Sequence, residues 1–161
     1  MDRRDFLKTV AVSGAAMTIQ RSEAMEILTQ AVNSTGKPDL VAVMGDEPEL
    51  MFQRAIAELG GMKQFVKSGQ KVVVKPNIGW DKVPELAGNT NPKLVAEIVK
   101  QCFAAGAKEV TVFDHTCDDW QKCYKNSGIE SAAKAAGAKV MPAHLESYYR
   151  PVDLSKGKNM K

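Results

Sequence analysis

The chain has 161 residues, 44% of them hydrophobic and 25% charged, which is ordinary for one globular domain. Its formal charge of +3 falls to +2 once the four bases and three acids of residues 1–24 are set aside. That bias is too slight, and the lysines too scattered among acids, for a nucleic-acid surface. No apolar run reaches the roughly 20 residues that span a bilayer, and three cysteines leave one over in any pairing.

Residues 1–24 read as an address. Arg3-Arg4-Asp5-Phe6-Leu7-Lys8 has the pattern of a twin-arginine export motif: two arginines, any residue, Phe, Leu, Lys. A mildly apolar segment from Thr9 to Ile19 follows, and Ser22-Glu23-Ala24 then forms a small-x-small site with cleavage expected before Met25. The expectation is a signal peptide that engages the twin-arginine machinery and delivers the protein to the periplasm. An ordinary amphipathic first helix is the alternative. The first cysteine is Cys102, so no lipid-bearing cysteine follows the apolar segment and no stable membrane span is expected.

Residues 25–39 form a linker or short helix, with a helical pattern over 26–32 closed by the turn-rich Asn33-Ser34-Thr35-Gly36-Lys37-Pro38. The α/β domain is placed at 40–161. Leu40-Val41-Ala42-Val43-Met44 predicts a first strand. Pro48 opens a helix that Gly60-Gly61 stops, and residues 62–66 add a turn. Residues 71–75 predict a second strand, cut by Pro76. A long connection over 76–91 ends at Asn91-Pro92, a cap and first position for the next helix. That helix carries Leu94, Val95, Ile98, Val99, Cys102 and Phe103 as an apolar stripe, and Gly106 ends it. Residues 109–113 predict a third strand, 117–127 a polar loop, 129–136 a short helix and 138–141 a fourth strand. The alternation predicts an α/β fold with a doubly wound, mostly parallel sheet and flanking helices, incomplete within this chain.

In open α/β sheets, ligands bind at the carboxyl ends of the strands. Lys75 and Asn77 fall at one such end, Asp114 and His115 at another, so one sheet edge collects them. A lysine and an asparagine can hold an anionic or carbonyl oxygen, and a histidine can move a proton near neutral pH. Thr90 precedes a helix start, where free amides favour anions. The plainer account has Lys75 snorkelling, Asn77 and Asp114 capping loop amides, and Thr90 helping to cap the helix. His115, Cys117 and Cys123 are off the usual zinc spacing, so no metal site is expected; a Cys117–Cys123 disulfide and free thiols both stay open. No glycine-rich nucleotide fingerprint and no P-loop is present.

Three stretches carry a resemblance. They are Val72-Val73-Val74-Lys75-Pro76-Asn77-Ile78-Gly79, then Gly88-Asn89-Thr90-Asn91-Pro92, then Ala105-Gly106-Ala107-Lys108-Glu109-Val110. In that order they resemble the family called domain of unknown function 362. Ser127-Gly128-Ile129 and Ala135-Ala136-Gly137-Ala138 also fit, so the resemblance covers roughly residues 40–145. Family members are usually longer, which makes this chain look like an amino-terminal part. Many also carry a ferredoxin-like cysteine cluster further on. The resemblance therefore implies a redox or iron–sulfur-linked protein, with any 4Fe-4S cluster downstream of residue 161 and no cofactor within this chain. The alternatives are a small anionic ligand-binding or enzymatic domain, or an inactive structural fragment.

Overall fold

The computed structural model describes residues 38–153 and 156–157. The signal peptide expected at 1–24 and the helix expected over 26–32 lie outside the described residues. Three strands, β1 (Lys71–Val74), β2 (Glu109–Val112) and β3 (Lys139–Val140), form one parallel sheet in the order β1-β2-β3. Lys71 pairs with Glu109 and Val74 with Val112; Thr111 pairs with Lys139 and Val112 with Val140. Parallel neighbours need long crossovers. Helix α2 (Pro92–Ala104) lies in the first crossover; α3 (Trp120–Asn126) and α4 (Ile129–Ala135) lie in the second, and α1 (Pro48–Glu58) precedes β1. The α/β class with an open parallel sheet and flanking helices is thus the one the alternation predicted.

Each element starts and stops for local reasons. Asn91 accepts the amide of Lys93 at 2.9 Å, and Pro92 sits where no N–H is needed, so α2 begins there as expected. Gly106 follows at φ 104°, and a Cβ there would lie 3.1 Å from the Cα of Ser68. Only glycine lets the chain turn so tightly from α2 past the β1 approach. The stripe on α2 buries Val95, Val99 and Cys102 in one core with Val110 and Val112 of β2 and Ile129 and Ala133 of α4. Each such valine contributes about 1.5–3 kcal/mol relative to exposure. Val72 and Val74 of β1 pack against that core, while Val73, pointing the other way by strand alternation, is 60% exposed.

Two expectations are corrected. Residues 40–44 form no strand: Leu40 and Met44 are 80% and 94% exposed, and Val41 and Val43 lie along the Arg54 and Glu58 turn of α1. A β-branched run becomes a strand only when a ladder receives it. Residues 117–127 are not simply a loop, because they contain α3. Asp119 accepts the amide of Lys122 at 3.0 Å and so caps that helix, while Cys123 and Tyr124 are buried beneath it.

Candidate functional site

The site is built on the chain that leaves β1 and β2. Beyond β2, Asp114 is buried and its carboxylate meets three donors. The Oδ2 atom accepts from the backbone N of Ile78 at 2.7 Å, and Oδ1 accepts from the backbone N of His115 at 2.9 Å. The Lys75 ammonium lies 2.5 Å from the same Oδ1. The lysine side chain is 62% exposed and the aspartate side chain 5% exposed, so a fixed interior carboxylate holds a surface cation. Tyr124 ties down the aspartate's own backbone: its hydroxyl accepts from the Asp114 N at 2.8 Å. The same hydroxyl faces two carbonyl acceptors, Asp114 O at 2.9 Å and Met141 O at 3.0 Å. Burial pushes the Tyr124 hydroxyl above its ordinary pKa, which keeps it a donor.

Asn77 and Thr90 form a second knot beside the first. The Asn77 N donates to Thr90 Oγ1 at 2.9 Å, and the Thr90 N donates back to the Asn77 carbonyl at 3.0 Å. The Asn77 side chain accepts from Gly79 N at 3.0 Å and donates to Gly88 O at 3.2 Å. Asn89 closes the same loop through Trp80 and Lys82. These bonds shape the loop over 76–91, and a Cβ on Gly79 would come within 2.9 Å of the Asn77 side-chain oxygen. Lys75, Asp114 and His115 are therefore in direct contact. Asn77 and Thr90 contact each other, and Ile78 bridges the two groups.

Sequence reasoning did not single out Tyr124, nor the segment after β3. There His144 stacks on Trp120, ring centres 4.7 Å apart and planes 10° from parallel, and its Nδ1 is buried without a protein partner. The Trp120 ring meets Tyr124 edge-on at 6.0 Å, and His115 faces Tyr149 at 6.2 Å. Residues after β3 thus pack their rings against Trp120 and His115.

A family model described as Domain of unknown function (DUF362) matches residues 72–161. The chain belongs to the DUF362 family. The DUF362 match opens one residue into β1 and takes in all five candidate residues, with Tyr124 and His144. No curated protein matches the chain, and no solved structure does either.

The cysteines of this DUF362 chain do not fit an iron–sulfur cluster. Cys102 is in the core, Cys123 is buried with its sulfur 3.7 Å from the Gly79 carbonyl, and Cys117 is exposed. All three are free thiols. Burial pushes the Cys102 and Cys123 thiols up, the opposite of what a thiolate ligand needs. Among the described residues no group of three or more His, Cys, Asp or Glu side chains is placed to hold a metal. None of the described helices is long and apolar enough to cross a membrane.

Proposed function

We propose that this protein binds a small anionic ligand at the carboxyl edge of its sheet, with the Lys75 ammonium as the contact. One observation carries the reading: an exposed ammonium fixed by a buried carboxylate. A free surface lysine holds about 2 kcal/mol of rotamer entropy, much of which a ligand must remove on binding. Asp114 restrains that motion beforehand, so the ammonium is preorganised. The carboxylate's charge is met by two backbone N–H groups as well as by the lysine, and an ammonium has three donors to share. His115, joined to the same oxygen through its backbone, supplies a proton-transfer group beside the ligand. Asn77 and Thr90 shape the loop that borders the site.

The motif at Arg3-Arg4-Asp5-Phe6-Leu7-Lys8 supports delivery to the periplasm by the twin-arginine route. A redox or iron–sulfur link has the family resemblance and that motif as its support, and the described cysteines contribute nothing to it.

Calorimetric titration of the full chain with inorganic phosphate at low ionic strength tests the reading. Binding is expected, weakened about tenfold or more by Lys75→Ala with the fold retained, the scale of one charge-assisted contact. Equal binding by the wild type and by Lys75→Ala contradicts it.

A further inference from the structure

We infer that the anion taken at this edge carries an aromatic or other planar group. The inference rests on the Lys75 reading and adds the other half of the ligand. The Lys75 ammonium and the His115 backbone N converge on one Asp114 oxygen, at 2.5 and 2.9 Å, so the cation and the backbone of His115 are neighbours. The His115 ring lies against Tyr149, with ring centres 6.2 Å apart and planes tilted by 51°. Tyr149 remains 49% exposed, yet its ring is anchored, because the hydroxyl donates to the carbonyl of the buried Ala143 at 2.7 Å. The residue whose backbone shares the Asp114 oxygen with the exposed cation thus carries one ring of an aromatic pair whose other ring is anchored and half-open.

An exposed tyrosine with its polar end already satisfied offers mainly its ring face. A planar group laid on that pair gains offset or edge-to-face contact and removes ring surface from water. Its phosphate or carboxylate meets the ammonium at the same time. An anion without a ring engages Lys75 alone.

The test titrates the full chain with phenyl phosphate and, separately, with inorganic phosphate under the same conditions. Phenyl phosphate is expected to bind about tenfold tighter, the gain that one aromatic contact supplies. Tyr149→Ala should remove that preference and leave the affinity for inorganic phosphate unchanged; Tyr149→Phe, which keeps the ring but loses its anchoring hydrogen bond, should retain part of it. Equal affinity of the wild type for the two compounds overturns the inference and leaves the Lys75 site standing. So does a preference that survives Tyr149→Ala. Failure of both compounds to bind removes the anion site itself, and the inference with it. The wild-type comparison decides the matter even where Tyr149→Ala does not fold.

Discussion

Replacing Asp114 with alanine removes the group that ties the sheet edge to the Lys75 loop. Three donors lose their acceptor: the Ile78 N, the His115 N and the Lys75 ammonium. Ile78 is fully buried, so its N–H gains no ready water partner, and an orphaned buried donor costs about 1–3 kcal/mol. His115 is exposed and water can take over its bond, so that loss is about 1 kcal/mol or less. The lysine is mostly in solvent, and its pairing is discounted to about 0–1 kcal/mol. The loss for Asp114→Ala is therefore about 3 kcal/mol, whereas Lys75→Ala, which breaks only the screened pair, costs less than about 1 kcal/mol. Urea unfolding followed by circular dichroism measures both, and the double variant completes a cycle that isolates the pair's coupling. If Asp114→Ala costs no more than Lys75→Ala, the buried carboxylate is not what anchors the Ile78 amide, and the reasoning fails.

Other consequences follow from the same geometry. Tyr124→Phe removes the hydroxyl that accepts from the Asp114 N and should cost about 1–3 kcal/mol in the same urea assay; a midpoint equal to wild type contradicts this. Iodoacetamide at neutral pH should label Cys117 alone in the folded protein, since Cys102 and Cys123 are buried with thiols pushed up. Mass spectrometry showing fast labelling of all three refutes that packing. The hydrogen bond from Lys139, aided by the charges of Lys139 and Lys71, holds Glu109 below the ordinary glutamate range. A depressed carboxylate contributes stability above its unfolded pKa and loses it as pH falls through the folded one. The stability difference between wild type and Glu109→Gln should therefore vanish in acid, and a pH-independent difference contradicts the assignment.

Much of the edge was legible because parallel topology does the placing. A strand ending just before Lys75 and another ending before Asp114 must present those residues on one side, whatever the separation along the chain. That the two touch at 2.5 Å was not legible, since it depends on the loop through Ile78. Asn77 and Thr90 were visible as polar residues near that edge, but their mutual backbone bonds need the loop to fold back on itself. Helix α3 had a readable signal in Asp119 as a cap and in the spacing of Trp120, Cys123 and Tyr124, one helical face at i, i+3 and i+4. The cluster of polar residues around it obscured that pattern. Residues 40–44 show the opposite error: five apolar residues in a row are strand-like, yet strand pairing depends on a neighbour that local sequence does not specify. The stacking of His144 on Trp120 spans too many residues for any spacing rule to reveal it.

The central claim is that the Lys75 edge binds anions. Amide NMR of the isotope-labelled full chain, titrated with inorganic phosphate, tests it most directly. The account predicts saturable shifts at Lys75, Ile78 and His115, with α1 (Pro48–Glu58) unmoved, and loss of those shifts in Lys75→Ala. Shifts centred on other residues, or shifts that persist without the lysine, contradict it.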